Sequence, residues 1–143
     1  MSFDIECAAL QGGFPEATKD PIIQIANICK IQGEEEPFLR WVYNLNTCAA
    51  IAGAEVFEFW NEADMLRSWR DFITEMDPDI ITGYNIVNFD LPYIIDWAEA
   101  LRIERYALFS KVKGMISKIK SATFSSKALG TRDNKEINIE GRI

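Results

Sequence analysis

Asp4 and Glu6 stand two residues apart in the opening run Ser2-Phe3-Asp4-Ile5-Glu6-Cys7. The run alternates polar and apolar residues, the period of a half-buried β-strand, so both carboxylates leave the same face. Acidic residues are poor strand formers, and two on one face repel unless positive charge lies between them. A pair of this kind also suits a plain solvent-facing strand edge. A third acid alters the balance. Asp90 lies in ITGYNIVNFDLPY (81–93), where a loop after a strand-like run feeds a helix. Asp90 is well placed to cap that helix, and capping does not prevent it from holding a ligand. Three carboxylates drawn into one poorly solvated cleft call for a divalent cation. All-oxygen ligands select Mg²⁺ or Mn²⁺ over zinc. Two such ions about 4 Å apart can generate a hydroxide and stabilise the leaving oxygen of in-line attack on phosphorus.

The rest of the composition leaves carboxylates, lysines, tyrosines or metals as the source of any catalysis. The chain has no histidine, which excludes Ser-His-Asp, Cys-His and His-ligated zinc chemistry from these 143 residues. The net charge of −7 argues against nucleic-acid binding over the whole surface, leaving local basic patches as the place for it. Cys7, Cys29 and Cys48 are odd in number, widely spaced and without a C-x-x-C pair, so buried reduced thiols are expected. No run approaches the roughly 18 apolar residues of a membrane helix, and no leader-like segment opens the chain. These features point to an intracellular chain without a membrane partner.

The elements that must position the acids read as a mixed α/β sheet. The opening strand is followed by a Gly- and Pro-containing loop, a β-rich run at 22–31, a QGEEEP turn and a strand-like run at 38–45. Together these suggest a three-stranded antiparallel meander. Asn61, with Asp64 three residues on, predicts a helix N-terminus. Leu66, Trp69, Ile73 and Met76 supply that helix's apolar stripe, and the DPD at 77–79 ends it. IITGY (80–84) reads as a buried strand. A second helix begins near Asp90, with Pro92 in its first turn and Ile94, Trp97, Ala98 and Leu101 facing inward. From 111 to 135 the chain turns basic: Lys111, Lys113, Lys118, Lys120, Lys127, Arg132 and Lys135 stand against Asp133 alone. EINIEGRI (136–143) is strand-like. Its IEGR is also the recognition sequence of a clotting protease used to remove tags, but its place in a strand-like run favours a native origin.

FDIEC followed by GYNIVNFDLPY resembles the first and second exonuclease motifs of the family B DNA polymerases. The likeness extends in order through FPE, DPIIQIAN, PFLR, NTCA, MDPDIITGYN, FSSKALGTRDNK and INIEGR, almost the whole chain. The resemblance implies a ribonuclease-H-like fold, a mixed sheet flanked by helices, working as a proofreading 3′-5′ exonuclease. By it, Asp4 and Glu6 match the metal-binding acids of the first motif and Asp90 that of the second. These three would be the catalytic residues, with two Mg²⁺ or Mn²⁺ ions in a complete domain. Asn88 and Phe89 match positions lining the cleft for the 3′-terminal nucleotides. Whether the Phe89 ring stacks on a base or packs beneath the site is left open. The stretch 122–138 resembles the hairpin that helps part primer from template, so Lys127 and Arg132 are expected to contact DNA.

The resemblance also implies a single-stranded primer 3′ end as substrate and a nuclear location. For a longer parent it implies primer-template DNA, accessory polymerase subunits and the sliding clamp as partners. The family's third exonuclease motif, Tyr-x-x-x-Asp, has no match within residues 1–143. Neither do the polymerase palm and fingers or the cysteine clusters that carry zinc or an iron–sulfur group. The expectation is a partial exonuclease domain truncated at its C-terminus, nearly inactive alone and open to self-association along an unpaired sheet edge at 136–143. Without the resemblance, the same residues would suit a non-catalytic DNA-binding domain or a standalone exonuclease.

Overall fold

A computed structural model describes residues 1–9, 12–126 and 130–143, without the side chains of 121–134. Its main sheet has the order β1-β2-β3-β4, formed by Ser2–Cys7, Ile22–Cys29, Leu39–Leu45 and Glu55–Phe59. The first three strands are the expected antiparallel meander, whereas β4 runs parallel to β3. β4 is absent from the sequence reading because EVFEF offers only five residues and no hairpin turn. Alternation in β1 buries Phe3 and Ile5 and leaves Asp4 and Glu6 exposed. A register shift after Glu6 pairs Cys7 with Ile22 and bends this end of the strand.

Two helices follow, α1 (Glu62–Met76) and α2 (Asp90–Ala100). The Asn61 side chain accepts the Asp64 amide hydrogen at 3.1 Å, as the sequence predicts. Leu66, Trp69 and Ile73 are buried against the sheet, and Met76 is half-buried at the end of the stripe. Trp69 packs on Phe3 with ring centroids 5.0 Å apart, and its Nε1–H donates to Asn27 Oδ1 at 2.8 Å. That bond pairs the polar atoms of two fully buried side chains, which would otherwise each carry a desolvation cost. Trp97 of α2 donates to Glu62 at the start of α1, tying the helices together at 2.8 Å. Ile94, Trp97 and Ala98 are buried as expected, and Leu101 is partly so.

IITGY is not a full strand. Only Ser2 and Thr82 form a bridge, parallel, extended by Phe3 N–H to Thr82 O (3.1 Å) and Thr82 N–H to Met1 O (2.9 Å). The segment leaves the edge at Gly83, where a Cβ would lie 2.5 Å from the Phe3 carbonyl and collide with Ile86. Its other side takes the C-terminus, with Ile143 N–H on Asp79 O (2.9 Å) and Ile81 N–H on Ile143 O (2.7 Å).

The basic region forms a separate antiparallel hairpin of β5 (Lys118–Ser126) and β6 (Gly130–Asn138). The strand expected over 136–143 therefore ends at Asn138 and gives way to a turn. Gly141 in that turn has a φ of 82°, and the Arg142 guanidinium, 2% exposed, reaches Asp77, Pro78 O and Phe109 O. Lys111 holds Asp79 at 2.6 Å beside it. IEGR is thus an integral docking element, in keeping with a native origin. Among the described residues no helix is long and apolar enough to cross a membrane, and the cysteines are free. Only Cys29 is buried; Cys7 and Cys48 are partly exposed.

Candidate functional site

The open edge of β1 builds the site. Edge amides of a strand need acceptors, and Thr82 O serves Phe3 N–H. Two residues along, the chain at 83–89 has turned away, and the acceptor is a side chain instead: Asp90 Oδ1 takes Ile5 N–H at 3.1 Å. Asp90 is 1% exposed, so the carboxylate stands where the next strand's carbonyl would be. The turn that delivers it is tight. Asn85, at a φ of 56°, has its carbonyl bonded by the Asn88 and Phe89 amides, and Leu91 N–H reaches Ile86 O. The cap position of α2 falls to Phe89, with no side-chain cap bond. Asp90, the first helical residue, accepts the amide hydrogen of Ile5. It therefore does not fill the simple N-cap role that its position in sequence allows.

The Asp4 carboxyl lies near enough to Asp90 for its charge to bear on it. Burial pushes Asp90 above the ordinary carboxylate value, the Ile5 and Asp90 amides pull it down, and the negative charge of Asp4 pushes it up again. Two carboxyls side by side offer oxygen atoms that a cation can bridge. Glu6 leaves the same face two residues further on but does not join them, and among the described residues no three acids, Cys or His form a metal-holding group. The donor set at Asp4 and Asp90 is all oxygen and fits a hard divalent ion; it is incomplete as a cage.

Behind the acids, Tyr93 Oη–H donates to Asp20 O at 2.8 Å and lies beside the Cys7 thiol. Burial, with the nearby Asp90, Glu6 and Asp20 charges, leaves that thiol pushed up to about 11, so it stays neutral beside the carboxyls.

The aromatic surround includes a residue that the sequence reading missed. Phe89 is half-buried between Tyr93 (centroids 5.3 Å) and Phe14 (5.2 Å, edge-on), and Phe14 itself is 80% exposed. In sequence FPE is only part of a matching string; the fold brings Phe14 from the loop after β1 to the side of Phe89. Asn88 does not present a free amide to the cleft. Its Oδ1 accepts Lys135 N–H of β6 at 3.4 Å and its Nδ2 donates to Asn85 at 3.1 Å. Lys127 lies outside the described residues, and so does the side chain of Arg132 in β6.

An acid pair set at the junction of a strand edge and a helix start, in a mixed α/β fold, meets a family match of the same kind. The family described as DNA polymerase family B, exonuclease domain, matches residues 1–143, and this chain belongs to it. Among curated relatives, the DNA polymerase delta catalytic subunit of Candida albicans is 51% identical over all of this chain and 14% of its own length. That of Dictyostelium discoideum is 54% identical over 99% of this chain and 13% of its own, and that of Schizosaccharomyces pombe 49% over 100% and 13%. The chain thus spans only 13–14% of the relatives it matches.

Proposed function

We propose that this chain supplies the first two acidic motifs of a proofreading 3′-5′ exonuclease in a replicative, nuclear DNA-directed DNA polymerase, on a ribonuclease-H-like sheet. The observation that carries the reading is the meeting of Asp4 and Asp90, 86 positions apart in sequence, at one point on the β1 edge in a member of this family. In this reading Asp4 and Asp90 hold a divalent ion, and Glu6 completes its ligands when the cleft closes on substrate. Bound Mg²⁺ or Mn²⁺, two ions in a complete domain, supplies the Lewis acidity and the activated water for hydrolysis of the terminal phosphodiester.

The residues of the chain do the positioning. The Ile5 amide fixes the orientation of Asp90, so its second oxygen is the one turned to a ligand. The exposed Phe14 ring, braced edge-on by Phe89, offers a face on which a 3′-terminal base can stack. The hairpin is docked through the Lys135 amide on Asn88, and the basic stretch it belongs to, with Lys127 and Arg132, is the part of the chain that would follow the DNA backbone. The substrate is a frayed single-stranded primer end, and accessory subunits and the clamp belong to the longer protein. A fourth carboxylate and a tyrosine to orient water have no match among these residues, so metal binding without efficient hydrolysis is the expected behaviour of this chain.

The test separates the two properties. Mn²⁺ should raise the melting temperature of the chain, and Asp90→Asn and Asp4→Asn should each abolish the shift. Release of 3′ nucleotides from a single-stranded oligonucleotide should be nearly absent. A Mn²⁺ shift unchanged in both variants would refute the site. Asp4-dependent hydrolysis at the rate of a full exonuclease domain would refute the inactivity.

A further inference from the structure

The sheet edge farthest from Asp4 carries a second cleft with a different chemistry. On α1, Ser68, Asp71, Phe72 and Glu75 recur at i, i+3, i+4 and i+7, so they form one stripe along the helix. That stripe overhangs Trp41 and Tyr43 of β3 and Phe57 of β4. Tyr43 and Phe57 are partners in the parallel register, and Trp41, two residues before Tyr43, shares its face. These side chains enclose a cavity of about 410 Å³. Its walls are aromatic, with Trp41 4.9 Å from Phe57 and 5.1 Å from Phe72, and Tyr43 5.5 Å and 5.8 Å from the same two rings.

Three polar features of this cleft can take a further donor. Tyr43 is 3% exposed, and its hydroxyl bonds no described residue but keeps slight contact with solvent, since it is not one of the fully buried polar atoms. Glu75 is close enough for its charge to bear on that hydroxyl, and no cation among the described residues pairs with it. Asp71 is held by Arg70 through Oδ1 alone, which leaves Oδ2 for another donor.

We propose that this cleft is a binding site for a guanidinium group, the arginine side chain of a partner polypeptide. A planar cation can lie against the Trp41 and Phe57 rings, and its five N–H groups can serve the Tyr43 oxygen together with Glu75 and Asp71. The alternatives match less well. An apolar side chain would cover the hydroxyl and the Glu75 carboxylate without pairing either, and a nucleic-acid phosphate would be repelled by the rim. The cleft is separate from the Asp4–Asp90 site, and neither reading depends on the other.

The test uses the whole chain and a minimal probe, N-acetyl-arginine amide, with the isosteric but uncharged citrulline amide as control. Titration followed by NMR should give saturable shifts at the Trp41 indole N–H and at the amides of Phe57, Phe72 and Glu75. The citrulline compound should give none. Glu75→Gln, an exposed position whose spectrum should report an intact fold, should weaken binding roughly fivefold. Tyr43→Phe should weaken it without moving the melting temperature much. Three results would each overturn the assignment: no saturable shift, equal binding of arginine and citrulline, or equal binding by the Glu75→Gln variant. N-acetyl-lysine amide binding as tightly as the arginine probe would overturn the guanidinium geometry.

Discussion

The Asp90 carboxylate accepts the Ile5 amide hydrogen at 3.1 Å across 85 residues of sequence, filling the place of a strand carbonyl on the β1 edge. One oxygen atom thus closes the sheet while its carboxyl group faces Asp4. Structure and proposed chemistry are joined at a single group, and conservative variants can separate them.

Asp90→Asn keeps an acceptor for Ile5 N–H and removes a charge from beside Asp4. Its stability should match or exceed that of the parent in metal-free buffer. Asp90→Ala leaves the buried amide unpaired and should cost about 1–3 kcal/mol. Urea denaturation of the two variants measures the difference. Equal stability of Asn and Ala would mean that the edge bond contributes nothing.

Asp90 titrates above the ordinary carboxylate value in the folded chain, chiefly because it is buried. Between its unfolded and folded values the native state therefore holds more protons than the unfolded state. Its contribution to stability then rises as pH falls through the raised value, and levels off below the ordinary one. With a chelator present, the difference in unfolding free energy between the parent and Asp90→Asn should shrink as the solution is acidified across that window. A difference that stays constant with pH would contradict the shift.

Gly83→Ala tests the departure of the chain from the β1 edge. Its Cβ would press on the Phe3 carbonyl and the Ile86 side chain, a backbone contact that cannot rotate away. Overpacking of this kind costs about 1–3 kcal/mol. The same change should weaken Mn²⁺ binding, because the turn between residues 83 and 89 is what brings Asp90 to Ile5. Thermal melts with and without Mn²⁺ read both effects.

Arg142→Ala removes a guanidinium that bonds Asp77 at 2.9 Å and Phe109 O at 2.7 Å. Asp77 is more than half exposed, so its share is screened, and the backbone acceptors carry most of the loss. About 2 kcal/mol is the expected destabilisation. Asp77 also stands at the left-handed end of α1, with a φ of 45°, where glycine is favoured. In the Arg142→Ala background Asp77→Gly should therefore stabilise, although in the parent chain it should not. A double-mutant cycle checks the reversal.

Arg102 ends α2 at a φ of 57°, with Arg102 N–H on Glu99 O and Ile103 N–H on Ala98 O closing the helix. No ion pair or side-chain hydrogen bond among the described residues holds its guanidinium there. Arg102→Gly should relieve the left-handed strain and stabilise by up to about 1 kcal/mol, read as a higher urea midpoint. A lower midpoint would show that the arginine stem packs usefully against the helix end.

Local pattern by itself determined much of this protein. The alternation around Asp4 and Glu6, the Asn61 cap, the Leu66–Trp69–Ile73 stripe and the inward face of α2 each follow from periods of two or 3.6 residues and from nearby hydrogen bonds. The absence of histidine left any chemistry of these residues to carboxylates, lysines, tyrosines or metals, and the quoted motifs were enough to mark the family. What required tertiary structure were relationships between distant segments. Pairing geometry made β4 a strand and left IITGY with one bridge, because a strand is defined by its neighbour and not by its own residues. The same long-range packing set Asp90 against Asp4 while Glu6 stood aside, brought the Phe14 ring to Phe89, and turned the Asn88 amide towards the hairpin. It also left Tyr43 buried under α1 with no described residue bonded to its hydroxyl, since burial is settled by the whole core and the hydroxyl must take whatever surroundings that core provides.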